Sequence, residues 1–430
     1  MRWTSVGSAA IAKAATLPIN ALVSLFAMQL VIGWWGVEAY ASYGLLVALV
    51  ALLPFADLGM AAVIINVVSQ HGARSRNLRR ALLSVLRILA ASAVVLVSAA
   101  IVVTLLGSWR LLLGDSLLAG REGDLAVLLC VSLFAINLPV SIGARALVGL
   151  GQNTALILIQ SLQYPLILAM ILLMSAAGAS AGPFLPVGAY ISTFVVNALC
   201  VWLASRKLGE DFRWALRRLL VRRAKGARVG HTAWPMLVQS LAIPLATQSD
   251  RVVISQVSTT EQLAQYNLSS QIFMMVWQVT AAAGVSLWPI FSRMKDRGEA
   301  PPVGKASAIF AVVAAGCAGV LVCALPLIED FVAHGLITLS PVLIGSFFLY
   351  VVMNAVLYPF GMNFMDPRGL KFQAWCVSLA LPVNVTLSVI LAREIGASGP
   401  IISSAVCMFV FQVVPYSIRF HKGKSRSKND

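Results

Sequence analysis

The sequence predicts an all-α protein that crosses a membrane many times, and three observations predict it. Of the 430 residues, 59% are apolar and 11% are charged, against about 25% charged residues in ordinary soluble domains. The apolar residues form continuous runs of about 20, the length that a helix needs to cross about 30 Å of hydrocarbon. The 32 Lys and Arg residues, which outnumber 16 Asp and Glu, lie mostly between alternate runs. This pattern excludes a soluble globular enzyme, a disordered chain and a membrane β-barrel with alternating polarity.

Twelve apolar runs are long enough to span, and a basic stretch near the middle of the chain separates them into two sets of six. The twelve runs cover residues 9–33, 44–68, 81–106, 125–148, 153–176, 184–204, 232–256, 264–290, 306–327, 337–360, 372–392 and 397–418. The first run has no small-residue cleavage site, so we expect a retained helix rather than a signal peptide. The prediction is a polytopic membrane protein with 12 transmembrane helices in two six-helix lobes.

The distribution of positive charge predicts the orientation of these spans. Twelve spans put both termini on the same side, and the segments on that side carry 25 of the 32 basic residues. The opposite side carries three, Arg110, Arg121 and Arg393. Because basic residues are retained on the cytoplasmic side of a membrane, we expect both termini to be cytoplasmic. The basic runs then follow the topology rule, so we expect no nucleic-acid partner.

The order of the runs predicts the domain organisation. We expect an N-terminal lobe at 1–207, a basic amphipathic cytoplasmic linker at 208–229, a C-terminal lobe at 230–420 and a basic cytoplasmic tail at 421–430. Phe212 and three further apolar residues place one apolar face along the linker, typical of a helix at a membrane surface. Ala41-Ser-Tyr43 and Ala264-Gln-Tyr266 precede the second span of each half. That similarity indicates parallel repeats, which are typical of transporters.

Cofactor and metal chemistry are not predicted. The six cysteines all fall within predicted spans and form no CxxC or Cys/His cluster, so we interpret them as small core residues. The chain contains no P-loop, nucleophile elbow or HExxH motif, and its loops are too short for a catalytic domain. We therefore expect no cofactor, no metal site and no enzymatic activity.

Four basic residues lie in or near the spans instead of between them, namely Lys13, Arg87, Arg145 and Arg251. A charge inside the bilayer costs about 2.5–3.5 kcal/mol on insertion scales, so each needs a reason. One hypothesis is a cationic, substrate-binding cavity, because Arg binds phosphate oxygens in bidentate fashion. The alternative for Lys13, Arg87 and Arg145 is snorkelling to the cytoplasmic interface.

Two carboxylates lie within predicted spans, Asp57 in the second and Asp250 in the seventh. Either could exchange a proton and couple transport to a proton gradient, or could serve a structural role, Asp250 beside a neighbouring cation and Asp57 near Gly59. Polar and aromatic groups inside spans could also contact a sugar, and the candidates are Asn20, Gln278 and Trp277. The alternative for these three is packing and hydrogen bonding between helices.

Several motifs, taken together, resemble a known family. Gly36-Val-Glu-Ala-Tyr-Ala-Ser-Tyr-Gly44, followed by Pro54-Phe-Ala-Asp-Leu-Gly-Met60, resembles the opening of polysaccharide flippases. Asp250-Arg-Val-Val-Ile-Ser-Gln256 and Gln265-Tyr-Asn-Leu268 resemble their seventh-helix signature, and Trp288-Pro-Ile-Phe-Ser292 resembles the end of their eighth helix. The family is the Wzx-type polysaccharide transporters of the multidrug/oligosaccharidyl-lipid/polysaccharide exporter superfamily.

The resemblance implies two six-helix lobes and a multi-pass protein of the bacterial inner membrane. It implies export of an undecaprenyl-pyrophosphate-linked oligosaccharide for O-antigen, capsule or exopolysaccharide synthesis. The implied partners are this lipid-linked oligosaccharide, the phospholipid bilayer and, as a possibility, a polysaccharide polymerase and chain-length proteins.

Three other functions each fit part of the sequence pattern. A proton- or sodium-coupled multidrug antiporter is the main alternative, although it would require more than two intramembrane carboxylates. A major-facilitator transporter also fits twelve spans, but the loop Gln70-His-Gly-Ala-Arg-Ser-Arg-Asn-Leu-Arg-Arg80 lacks the Asp that such a loop usually carries. A membrane glycosyltransferase or polymerase would normally need large outer loops, and the longest here is about residues 108–124.

Overall fold

The described part of the chain is helical throughout. The computed structural model describes residues 3–51, 60–71, 76–113, 120–176, 179–219, 249–285, 287, 290–291, 294, 297, 299–365 and 367–426. Within these ranges there is no β-strand. The predicted all-α class is confirmed.

The helices are numbered in chain order, and those of the first half come first. They are α1 (Trp3–Ala51), α2 (Met60–His71), α3 (Arg76–Leu105), α4 (Trp109–Leu113), α5 (Gly120–Val140), α6 (Ile142–Gly149), α7 (Asn153–Ser161), α8 (Gln163–Ser175), a 3₁₀ turn (Ala179–Phe184), α9 (Leu185–Leu208) and α10 (Glu210–Arg217). Those of the second half are α11 (249–257), α12 (Thr260–Val285), α13 (Val303–Ala333), α14 (Pro341–Asn363), α15 (Pro367–Ile395), α16 (Ser398–Met408), a π-helical turn (Phe409–Val413) and α17 (Val414–Arg426).

Nine stretches of the described chain are long and apolar enough to cross a membrane. They agree with nine of the predicted spans, and the stretches are Ala15–Leu49, Leu78–Leu105, Arg121–Gly149, Asn153–Ser175, Gly182–Leu208, Val303–Ala333, Pro341–Asn363, Lys371–Ile395 and Ser398–Phe420. The predicted second, seventh and eighth spans each run into residues outside the described ranges. The protein therefore spans the membrane several times, and the count of twelve stays a prediction.

Helix α1 contains two successive helices rather than one. Gly36 has φ 83° and ψ 178°, a conformation that is not helical and that a side chain would strain. The break falls between the first and second predicted spans, in the segment that the sequence assigned to an outer loop. A milder irregularity separates α5 from α6 at Ser141, two residues after Pro139, where the backbone stays helical with φ −60° and ψ −16° and the apolar stretch continues. Proline lacks the N–H of the helical ladder, and its ring clashes with the preceding turn.

The chain divides into two compact units, residues 1–244 and residues 245–430. The core of the first unit includes Leu82 on α3, Leu147 on α6 and Phe212 on α10, each with 0% of its surface exposed. Helices α6 and α9 approach at backbone distance there, because a Cβ at Gly143 would lie 2.3 Å from the Val201 nitrogen. Phe212 lies in the predicted linker, yet its ring packs into this protein core instead of facing lipid. The boundaries of the linker itself remain a prediction.

The outside of the helices is rich in large apolar side chains. Leu105 is 81% exposed, Leu327 is 76% exposed and Val312 is 72% exposed. Exposed apolar area of this extent is unfavourable in water but matches a hydrocarbon environment. The surface therefore agrees with the composition in indicating a protein surrounded by lipid.

Candidate functional site

A turn of small residues brings helices α15 and α16 into close contact in the second unit. Gly396 ends the first helix with φ 61°, in the left-handed region that favours glycine. A Cβ at Gly399 would lie 2.3 Å from the Leu391 carbonyl carbon, so the two backbones nearly touch. Because the helices are this close, short polar side chains can hydrogen bond between them.

Asn384 is the centre of the resulting polar cluster. Its side chain is 4% exposed. Its Oδ1 accepts hydrogen bonds from the Oγ atoms of Ser388 at 3.2 Å, Ser403 at 2.8 Å and Ser404 at 3.4 Å. The spacing explains the contact, since Asn384 and Ser388 are four residues apart on one face of α15. The cluster thus places several hydrogen-bonding groups deep inside an apolar unit.

Asp250 joins this cluster from helix α11, and only 2% of its surface is exposed. One carboxylate oxygen, Oδ2, accepts hydrogen bonds from the Tyr266 hydroxyl at 3.0 Å and from the Ser404 hydroxyl at 3.3 Å. The other, Oδ1, accepts one from Ser388 at 3.5 Å. A buried carboxylate must be hydrogen-bonded or paired, and here hydroxyl groups from three other helices supply the bonds. We call these five residues the Asp250 cluster: Asp250, Tyr266, Asn384, Ser388 and Ser404.

Two hydroxyl groups of the Asp250 cluster each have two acceptors. Ser388 and Ser404 each carry a single proton and each lies within bonding distance of both Asp250 and Asn384. They can therefore donate to an ionised Asp250, or turn to Asn384 when Asp250 itself carries a proton and becomes a donor. The cluster can hold both states of the carboxyl without leaving a buried polar group unsatisfied. This is the chemistry that a proton-exchanging site requires.

A cavity of about 20 Å³ adjoins Asp250. Its polar lining comes from Asp250, Arg251, Tyr266, Ser270 and Tyr350. About 10–15 Å³ of such space suffices for one water molecule. The volume is far too small for a sugar, so this cavity cannot hold a carbohydrate.

The predicted residues of the second unit are partly brought together. Arg251 lines the same cavity as Asp250 and donates from Nη2 to the Ser270 hydroxyl at 3.3 Å. Trp277 and Gln278 are half-buried on α12, beyond the lining of that cavity. The substrate-contact role of these three residues stays a prediction.

In the first unit, Arg87 contacts the polypeptide that follows α10. Its Nε donates to the Leu219 carbonyl at 3.1 Å, and its Nη2 donates to the Arg218 carbonyl at 3.3 Å. Two turns earlier on α3, Arg79 Nε lies 2.5 Å from Asp211 Oδ1. Two arginines of α3 therefore hold the beginning of the predicted linker. This contact supplies a structural reason for Arg87 that the sequence pattern did not include.

Arg87→Ala is expected to loosen the segment after α10. The change removes two hydrogen bonds from a charged donor, worth about 1.5–3 kcal/mol each, although the partial exposure of Arg87 reduces this. Trypsin should cleave faster after Arg218, whose carbonyl accepts from Arg87, in the purified protein, and Arg145→Ala is the matched control. Equal cleavage rates in wild type and Arg87→Ala would contradict the contact.

The other predicted residues of the first unit do not form a shared site in the described structure. Lys13 and Asn20 are half-buried on α1, and Arg145 on α6 is exposed. Asp57 lies outside the described residues. The proposed roles of these four residues stay predictions.

Metal ligands of the usual kinds are not grouped in the part of the chain that the structure describes. The described residues contain no set of three or more His, Cys, Asp or Glu side chains that could hold a metal ion. The oxygens of the Asp250 cluster are hard donors, the type that small cations without redox chemistry prefer. The sequence analysis singled out Asp250 but not its partners Asn384, Ser388 and Ser404. The available signal was a polar i, i+4 pair on one helix and two adjacent serines within the next apolar run.

The family of this chain follows from a comparison with family models. Residues 14–295 match the model described as "Polysaccharide biosynthesis protein". The match covers more than half of the chain and includes Asp250 and Tyr266. The chain belongs to this polysaccharide biosynthesis protein family. A search of curated proteins found no match.

Solved transporter structures share the fold of this family member. The lipid II flippase MurJ, in an inward closed conformation, has a TM-score of 0.69 at 12% identity, covering 96% of this chain and 87% of its own. An inward-facing MATE multidrug resistance transporter of the MOP superfamily has a TM-score of 0.67 at 14% identity, covering 98% and 99%. The MATE multidrug transporter DinF-BH has a TM-score of 0.60 at 14% identity, covering 98% and 96%. At these identities the similarity establishes the fold alone: the chain has the same fold as these three structures.

Proposed function

We propose that this polysaccharide biosynthesis protein is a flippase for an undecaprenyl-pyrophosphate-linked oligosaccharide. It moves the sugar from the cytoplasmic to the periplasmic leaflet of a bacterial inner membrane, where surface polysaccharide is assembled. The family match carries the proposal, because it joins polysaccharide synthesis to a chain with several membrane-length apolar stretches. The fold similarity to a lipid II flippase supports it, since that protein also handles a lipid-linked substrate.

The mechanism that we propose is alternating access between two halves. The sugar and pyrophosphate enter a polar path while the lipid tail stays in the bilayer, which avoids the cost of moving a long hydrocarbon through water. Lys13, Arg87, Arg145 and Arg251 are the residues proposed to attract the pyrophosphate. Both termini are cytoplasmic, and the product passes to a polymerase with its chain-length proteins for O-antigen, capsule or exopolysaccharide.

We assign energy coupling to the Asp250 cluster. Proton binding at Asp250 turns the hydroxyls of Ser388 and Ser404 toward Asn384, and proton release turns them back. The two states change the hydrogen bonds between α11, α15 and α16, three helices of one unit. A proton gradient can therefore bias the conformation of this unit. The conformation that binds the proton more tightly is favoured on the side of the membrane where protons are more abundant.

A multidrug antiporter is the second candidate, since two of the similar solved structures are MATE transporters. A site for organic cations needs buried negative charge. In the described part of the chain the fully buried carboxylates are Asp211 and Asp250. Asp211 bonds to Arg79, and Asp250 is surrounded by hydroxyl donors. Both carboxylates are thus engaged by groups of the protein itself, which makes a site for organic cations the weaker candidate.

Deletion of the gene tests the proposed substrate in cells. We expect undecaprenyl-linked repeat units to accumulate on the cytoplasmic leaflet and surface polysaccharide to disappear, with both restored by the wild-type gene. A multidrug antiporter predicts a different result, which is normal polysaccharide together with increased sensitivity to cationic drugs. A strain without other flippases of this family is the appropriate host, since redundancy would hide the defect.

A further inference from the structure

A positively charged face lies at the end of α9 and along α10 in the first unit. It carries four exposed basic side chains and one exposed acidic side chain, Glu210, beside an exposed tryptophan, so the basic side chains predominate. We call the tryptophan and the four basic residues the inner basic face: Trp202, Arg206, Lys207, Arg213 and Arg217. The proposed transport mechanism uses none of these residues. Their arrangement nevertheless indicates a ligand.

The α9 part of the inner basic face combines an aromatic ring with a cation. Trp202 is 51% exposed, although tryptophan is a large side chain with considerable apolar area. The Arg206 guanidinium carbon lies 3.9 Å from the centre of the Trp202 ring, in a cation–π arrangement. The membrane-length stretch Gly182–Leu208 ends two residues after Arg206. The pair therefore lies in the last two turns of a membrane-length helix, and the ends of such helices are where tryptophan is enriched.

The α10 part is fixed in position by its opposite side. Phe212 and Ala215 are fully buried in the core of the unit, and Asp211 bonds to Arg79. Arg213 and Arg217 are one helical turn apart, so they share the exposed side of α10. Helix α10 starts just after Leu208, following the turn at Gly209 with φ 61°. A helix held in this way presents its cations close to the end of a membrane span.

We propose that the inner basic face binds the headgroup of an anionic phospholipid. Charge complementarity identifies the ligand class, since Arg forms charge-assisted hydrogen bonds to phosphate. The position at the end of a membrane span identifies its source as the bilayer. Basic residues between helices at the cytoplasmic surface are a known arrangement for anionic headgroups. The exposed Trp202 ring supplies apolar contact to the glycerol and upper acyl region of the same lipid.

Binding of lipids to the purified full-length protein tests this inference without any transport assay. Native mass spectrometry in detergent measures the binding of phosphatidylglycerol, with phosphatidylcholine as the zwitterionic comparison. We expect tighter binding of phosphatidylglycerol, and a fall of at least about tenfold in its affinity for Arg206→Gln/Arg213→Gln/Arg217→Gln. The single variant Arg206→Gln should show a smaller loss in the same direction.

The matched control removes three exposed basic residues from the second unit. Lys305→Gln/Arg368→Gln/Lys371→Gln subtracts the same charge from positions predicted to face the same side of the membrane. It should leave the affinity for phosphatidylglycerol within about twofold of wild type. Equal losses in the two triple variants would overturn the proposal, because attraction would then depend on total charge. Undiminished binding in the first triple variant would overturn it as well. Melting temperatures measured without added lipid confirm that each variant is folded.

Discussion

Asp250→Asn is expected to abolish proton-driven flipping while the protein still folds and inserts. Asparagine has almost the same shape as aspartate, and its Oδ1 can still accept the bond from the Tyr266 hydroxyl. The amide cannot take up or release a proton in the working pH range. The Ser388 and Ser404 hydroxyls then no longer alternate between two partners. We expect the rate of gradient-driven transport to fall by at least about a hundredfold, which corresponds to a free-energy difference of about 2.7 kcal/mol.

The measurement for Asp250→Asn is flipping in proteoliposomes with and without an imposed pH gradient. Asp330→Asn is the matched control, since Asp330 belongs to the same unit but is exposed near the end of α13. We expect wild-type rates for the control and no response to the gradient for Asp250→Asn. A gradient response that survives in Asp250→Asn would show that the coupling carboxylate lies elsewhere. Sodium gradients in the same vesicles separate proton coupling from sodium coupling.

Asn384→Ala is expected to impair both stability and transport. The change deletes an acceptor that contacts three serine hydroxyls. It also leaves a cavity where the amide was, in a region that is nearly inaccessible. Loss of buried hydrogen bonds costs about 1–3 kcal/mol per unsatisfied group. Ser403 retains the backbone carbonyl of residue 384 as an acceptor at 2.9 Å, which limits the loss.

Thermal unfolding in detergent, followed by the flipping assay, measures the effect of Asn384→Ala. We expect a lower melting temperature and a loss of at least about tenfold in gradient-driven transport. Both effects come from loss of the hydrogen bonds between Asn384 and the serine hydroxyls. Asn354→Ala is the control, because Asn354 is a half-buried asparagine of the same unit whose amide donates to the Tyr350 carbonyl at 3.0 Å. If the two variants had equal stability and equal transport, the Asp250 cluster would have no special role.

The helical fold could be predicted from the sequence because its determinants are local. Runs of about 20 apolar residues specify spans, and Gly36 marks a break between two helices, since a glycine acts on its own backbone. Long apolar spans remain recognisable without any knowledge of their neighbours. The nine spans of the described structure therefore agree with the prediction.

The Asp250 cluster could be predicted only in part, because it depends on tertiary contacts. A serine within an apolar helix usually bonds to its own backbone, so Ser388 and Ser404 carry no distinctive signal. Ser404 and Asp250 are 154 residues apart and meet only because α16 and α11 lie side by side in the folded unit. Arg87 illustrates the same limit, since its carbonyl partner Leu219 is 132 residues away. A charged residue in an apolar run indicated that a partner was needed but not which partner.

Flipping by the purified protein tests the central claim most directly. The full-length chain is reconstituted in vesicles that carry an undecaprenyl-pyrophosphate-linked oligosaccharide in one leaflet. A membrane-impermeant glycosidase then reports how much of the sugar reaches the other leaflet when a pH gradient is applied. We expect transfer with wild-type protein and none above the protein-free level with Asp250→Asn. Wild-type vesicles whose oligosaccharide stays in its original leaflet under every gradient would contradict it.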